Sequence, residues 1–216
     1  MSDQSTLVTH EHFAYIAART TPEDPFLADL KRAADAENIP PINIAPEQAA
    51  FMQIMLKLSR AKHVLEVGTL AGYSAIAMAR ALPPDGRVRT IELSPKHAQF
   101  AKSWIARSDV AGKVEVINGP GSDILPTLAD LSYDAAFLDA DKAGYPFYLE
   151  HCLRIVRPGG LIMADNAFAF GQLFDANPTD REAPAVKAFN EIMAAESRLQ
   201  SVIVPIGDGL WVAVRK

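Results

Sequence analysis

The run from Val64 to Ser74, VLEVGTLAGYS, constrains this chain more than any other segment. Val64 and Leu65 begin an apolar strand whose end carries an acidic residue, Glu66. A turn bearing Gly68 and Gly72 follows, and an amphipathic helix begins at Tyr73 or Ser74. This is a first βα turn of the kind that cradles a nucleotide. Its glycines are spaced G-x-x-x-G rather than the G-x-G-x-x-G of pyrophosphate binders, which favours a cofactor without a pyrophosphate.

The rest of the chain repeats the strand-then-helix pattern. Apolar strands are predicted at 63–67, 87–91, 113–117, 134–138 and 160–164. Helices are predicted at about 73–82, 94–107, 122–131, 143–156 and 180–196. Such alternation implies parallel βαβ units and a doubly wound sheet with helices on both faces. Pro158-Gly159-Gly160 reads as a tight turn into the fifth strand. The end of the chain differs. SVIVPI and LWVAVR, joined through Gly207-Asp208-Gly209, read as an antiparallel hairpin, making seven strands in all. Residues 1–60 read as a helical cap, with Asp24-Pro25 and Pro46-Glu47 as helix starts. Residues 61–216 form the α/β core of a single domain.

Composition excludes several classes. Apolar residues make up 49% of 216, enough for a large core, and charged residues 22%. No apolar run reaches the roughly 18 residues that cross a membrane, and the first residues carry neither the basic nor the apolar region of a signal peptide. The net charge of −5 argues against a nucleic-acid partner. A single cysteine, Cys152, suits a reducing compartment, and the expected location is the cytoplasm.

Ligands of open α/β sheets bind beyond the carboxyl ends of the strands. Those ends carry Glu66 and Gly68, then Glu92, then Asp139 in LDADK, then Asp165-Asn166 in MADN. Glu92 ends the second strand, where a carboxylate accepts hydrogen bonds from a ribose; a helix-capping role is the plain alternative. Asp139, Asp165 and Asn166 offer hard oxygens and no sulfur or imidazole, a set suited to Mg²⁺, Ca²⁺ or Mn²⁺. They would equally serve as a helix cap and a turn. Lys142, at the start of the next helix, would act as a general base where a metal and a dry cleft disfavour its charged form. As an arbitrary lysine it would be solvated. His97 reads as exposed, and Phe168 and Phe170 as either acceptor-stacking or ordinary packing residues.

Together these residues resemble the class I S-adenosylmethionine-dependent methyltransferases, with their Rossmann-like fold. More narrowly they resemble the cation-dependent O-methyltransferases of the caffeoyl-coenzyme A and catechol type. The resemblance runs from about Pro41 to Lys216 through PEQAAF, LEVGTLAGYS, IE, LDADKAGYPFY, RPGG, ADN and IGDGLWVAVRK. It implies that Glu66, Gly68, Thr69, Gly72 and Ser74 serve the methionine end of the cofactor. Glu92 would take the ribose and Gly121 would line the adenine. Ile44 and Tyr148 would flank the cofactor. Asp139 would touch both cofactor and metal, Asp165 and Asn166 would complete the metal set, and Lys142 and Asp139 would be the catalytic pair. The acceptor implied is a small catechol-like aromatic, and the assembly a homodimer. Three alternatives remain at this point: a methyltransferase of hydroxylated tRNA bases, a nicotinamide-dependent oxidoreductase, and a non-catalytic binding protein.

Overall fold

The structure is a computed structural model that describes residues 8–216; the first seven residues of the expected N-terminal cap, and of the region read as lacking a signal peptide, lie outside it. Three helices come first: α1 (His10–Ala17), α2 (Pro25–Ala36) and α3 (Pro46–Leu58). Asp24 caps α2 by accepting from the Leu27 N–H, and Pro25 at the first helical position has no N–H to lose. The core then alternates β1 (His63–Val67), α4 (Tyr73–Ala81), β2 (Arg87–Glu92), α5 (Pro95–Ile105), β3 (Val114–Asn118), α6 (Gly121–Ile124), β4 (Tyr133–Leu138), α7 (Tyr145–Ile155) and β5 (Val156–Ala164). It closes with α8 (Ala183–Ala195), β6 (Leu199–Val204) and β7 (Leu210–Arg215).

The strands form one seven-stranded sheet in the order β3-β2-β1-β4-β5-β7-β6. The first five are parallel, and β7 runs antiparallel to both β5 and β6. This is the doubly wound, mostly parallel sheet with a C-terminal hairpin that the sequence implied. Side chains alternate between its faces. Val64 of β1 joins Ile76, Met52 and Leu30 on one side, while Leu65 and Val67 join Tyr145, Leu149 and Leu153 on the other. Among the described residues no helix is long and apolar enough to cross a membrane.

One expectation fails here. The helix placed at 122–131 is a single turn, α6, followed by a 3₁₀ turn at Leu125–Thr127. Pro126 is the cause: it has no N–H for an α-helical bond, and its ring would clash with the carbonyl four residues earlier. Pro158-Gly159-Gly160 does fold tightly, but inside β5, as a bulge opposite Tyr133–Ala135. Gly159 takes φ +73 there, and a Cβ on Gly160 would stand 2.5 Å from Val156.

Candidate active site

Strand order reverses between β2 and β4 on either side of β1, so a crevice opens above their carboxyl ends. A cavity of about 620 Å³ fills it. Ile44, Gly68, Thr69, Ser74, Glu92, Gly121, Asp139, Lys142, Tyr148, Asp165 and Asn166 all line this cavity. Gly72 and Glu66 do not. Gly72 caps α4 at φ +90 and faces Ala101 and Ile105 of α5. Gly68 marks the floor. Its φ is +102, and a Cβ there would lie 1.8 Å from the Asp139 carbonyl oxygen, so β1 and β4 approach as closely as glycine permits.

The Glu92 carboxylate fastens the turn after β1. Oε2 accepts the N–H groups of Thr69 (3.1 Å) and Leu70 (2.8 Å), and Oε1 accepts that of Ser94 (2.9 Å). His97, expected to be exposed, instead lies half-buried on the cavity wall with Nδ1 3.6 Å from Glu92 Oε1. The register of α5, started by the Ser94-Pro95 cap, turns it inward.

Glu66 shares the α4 face of β1 with Val64 and is wholly buried. Ser74 Oγ donates to its Oε1, while Oε2 has no partner among the described residues. Burial lifts its carboxyl from 4.5 to about 8, against the pull of the Ser74 hydroxyl. The folded state therefore holds a proton that the unfolded chain releases. Stability should fall as pH rises from about 4.5 to about 8, by a few kcal/mol at ~1.4 kcal/mol per unit. Urea unfolding across this range should show that slope in the natural chain and its loss in Glu66→Gln. Parallel pH profiles for the two proteins would refute the buried, protonated Glu66.

The oxygen-rich wall comes from β4 and β5. Hydrogen bonds of 2.8 Å from Asp139 N to the Val67 carbonyl and 3.0 Å from Asp165 N to the Leu138 carbonyl set these residues side by side. Burial first, and the charge of Asp139 second, push the Asp165 carboxyl well above the ordinary carboxylate range. Asn166 takes φ +65 and spends its Nδ2 donor on Asp208 at 3.1 Å, which leaves Oδ1 as its ligand atom. Among the described residues no three His, Cys, Asp or Glu side chains converge as a metal group. The set here is two carboxylates and an amide. A buried carboxylate whose proton affinity the neighbouring Asp139 raises, that second carboxylate and an uncommitted amide oxygen fit a hard divalent cation.

Lys142 is not a solvated lysine: it is 4% exposed. Its Nζ donates to Asp139 Oδ1 (3.1 Å) and to the Tyr145 hydroxyl (2.7 Å), which in turn donates to the Leu138 carbonyl (3.0 Å). Its own N–H is accepted by Glu182 at 3.0 Å. Tyr148 closes the far side. Its hydroxyl donates to Asp141 (2.6 Å), and its ring sits where a Cβ on Gly121 would come within 3.1 Å. Of the two phenylalanines, Phe170 lines the cavity and Phe168 packs on Gly209. Cys152 is buried in the core under β4, as expected.

Several cavity residues went unrecognised in the sequence: Gln48, Asp141, Glu182 and Asp208. Gln48 and Asp208 sit in PEQAAF and IGDG, stretches that marked the resemblance without a role. Glu182 had no sequence signal.

The chain matches the family described as O-methyltransferase over residues 16–216. It is 40% identical over 202 residues to a catechol O-methyltransferase of Niastella koreensis, covering 90% of this chain and 91% of the relative. It is 36% identical over 199 residues to a catechol O-methyltransferase of Mycobacterium tuberculosis, covering 92% and 90%. Its fold superposes on the O-methyltransferase from Bacillus cereus in complex with SAH at a TM-score of 0.85 and 34% identity, covering 94% of this chain and 96% of that one. These matches remove the oxidoreductase and the non-catalytic readings. The chain belongs to the O-methyltransferase family and is an S-adenosylmethionine-dependent O-methyltransferase.

Proposed function

We propose that the acceptor is a small vicinal dihydroxy aromatic and that a divalent cation, Mg²⁺ before Ca²⁺ or Mn²⁺, takes part. One observation carries this reading: Asp139, Asp165, Asn166 and Lys142 line one cavity, together with Phe170. The catechol O-methyltransferase names of two relatives support it. Asp139, Asp165 and Asn166 would hold the cation. When bound, it would supply Lewis-acid polarisation of the acceptor hydroxyls.

The cofactor would occupy the β1–β3 side. Ile44, Gly68, Thr69, Ser74, Glu92, Gly121 and Tyr148 would contact it, with Glu66 and Gly72 acting from behind the wall. Glu66 would orient the Ser74 hydroxyl, and Gly72 would start α4 at the angle the loop requires. Lys142 Nζ, as the neutral amine, would receive the proton of one acceptor hydroxyl on its lone pair, with its two N–H groups held by Asp139 and the Tyr145 hydroxyl. When bound, the cofactor would supply a sulfonium methyl group, which the acceptor oxygen would take with the carbon–sulfur electron pair left on sulfur. Most of the acceleration would come from positioning and fixed charge. Phe170 offers a ring face to an aromatic acceptor.

The reading extends to a cytoplasmic homodimer. Exposed Ile54 and Leu58, one turn apart on α3, provide an apolar face in keeping with pairing. The net charge of −5 lends nothing to a tRNA acceptor. An acceptor panel tests the chelation idea. Catechol should be methylated and phenol not, because phenol lacks the second oxygen. Equal rates on the two would overturn it.

A further inference from the structure

The turn Gly207-Asp208-Gly209 and the Gln48 amide border the cavity beside the reactive wall, and both reach it. Gln48 is 1% exposed and donates from Nε2 to Asp165 Oδ1 at 2.7 Å. Asp208 Oδ2 accepts from Asn166 Nδ2 (3.1 Å) and from the Phe170 N–H (2.8 Å), and Oδ1 accepts the Gly171 N–H (3.2 Å). The carbonyls of Asp208 and Gly209 accept the N–H groups of Phe168 and Ala167, each at 2.8 Å. The whole loop from Asn166 to Gly171 is thus tied to one turn. It needs the tie, because Asn166, Ala169 and Phe170 all take positive φ, a strained conformation for residues with a Cβ. The two supports also touch. A Cβ on Gly207 would lie 2.1 Å from Gln48 Oε1, so only glycine lets the turn press on that amide.

We propose that Gln48 and Asp208 are positioning residues that brace the cation ligands and the acceptor wall. The proposal rests on the reading of Asp165 and Asn166 as ligands. A carboxylate can only accept, so Asp208 selects the orientation in which Asn166 presents Nδ2 backwards and commits Oδ1 to the cation. Gln48 does the converse for Asp165: its donor engages one oxygen and leaves the other for the ion. Asp208 carries a second task, since it also fixes the backbone of Phe170 and with it the ring on the cavity wall.

The test is Mn²⁺ titration, read by electron paramagnetic resonance of the free ion, with S-adenosylhomocysteine affinity measured by calorimetry on the same proteins. Both Asp208→Asn and Gln48→Met should weaken Mn²⁺ about 10- to 100-fold while S-adenosylhomocysteine affinity stays within about twofold. Asp208→Asn should raise the catechol KM more than Gln48→Met does, because only Asp208 holds Phe170. Unchanged Mn²⁺ affinity in both variants would overturn the brace. Absence of Mn²⁺ binding by the natural chain would overturn the cation reading instead, and the brace with it. Should Asp208→Asn lose S-adenosylhomocysteine binding through misfolding, Gln48→Met, which leaves the turn intact, decides the question.

Discussion

Replacing Asp165 with Ala should abolish methyl transfer and leave the affinity for S-adenosylhomocysteine nearly unchanged. Asp165 follows the end of β5, on the oxygen-rich side of the cavity, while the residues proposed for the cofactor come from the segment before α3, the turn after β1, the end of β2, α6 and α7. It is 7% exposed, and burial and Asp139 together make its charge costly. A bound cation would compensate that cost and favour the charged form. On the proposed reading of Asp165 as a cation ligand, its removal should lower turnover at fixed Mg²⁺ by about 100-fold or more. Asp165→Asn should behave alike in activity while retaining an acceptor for Gln48, which separates loss of the ligand from loss of the 2.7 Å hydrogen bond. A parallel fall in cofactor affinity would move Asp165 to the cofactor side, and full activity would remove it from the reaction.

Gly68→Ala should be the most disruptive single-methyl change in the chain. The added carbon would lie 1.8 Å from the Asp139 carbonyl oxygen and 2.6 Å from its carbon, in a backbone conformation of φ +102. Neither atom belongs to a side chain that can rotate away. The end of β4 would have to shift, carrying Asp139 with it. The expected cost is about 3 kcal/mol or more in stability, with cofactor binding and activity lost together. Gly171→Ala is the matched control. Its φ is +75, but nothing lies within 4 Å of the new carbon, so only the backbone cost of about 1 kcal/mol applies. Urea unfolding of the two variants checks this; equal losses would show that the close approach of β1 and β4 does not matter.

The alternation of strand and helix was legible because parallel strands buried on both faces read as apolar runs, as in the Ala135–Leu138 and Leu161–Ala164 segments. The carboxylates were legible for the same reason: Glu92, Asp139 and Asp165 break those runs at their carboxyl ends. Distances along the chain hid the rest. Gln48 reaches Asp165 across 117 residues, and Asp208 reaches Asn166 across 42, so no local pattern pairs them. Glu66 shows a different limit. It follows the same strand-end rule, yet the two-residue period of β1 turns it to the α4 face with Val64. Pro126, by contrast, was a visible signal, and it was the one that ended the helix expected at 122–131.

On the proposed reading, two aspartates and an asparagine make this methyl transfer depend on a divalent cation. The most direct measurement is methyl transfer from S-adenosylmethionine to catechol with Mg²⁺, then with excess EDTA, then with Mg²⁺ restored. Activity that disappears with the chelator and returns with the metal is the expected result. Equal activity with and without EDTA would contradict the account.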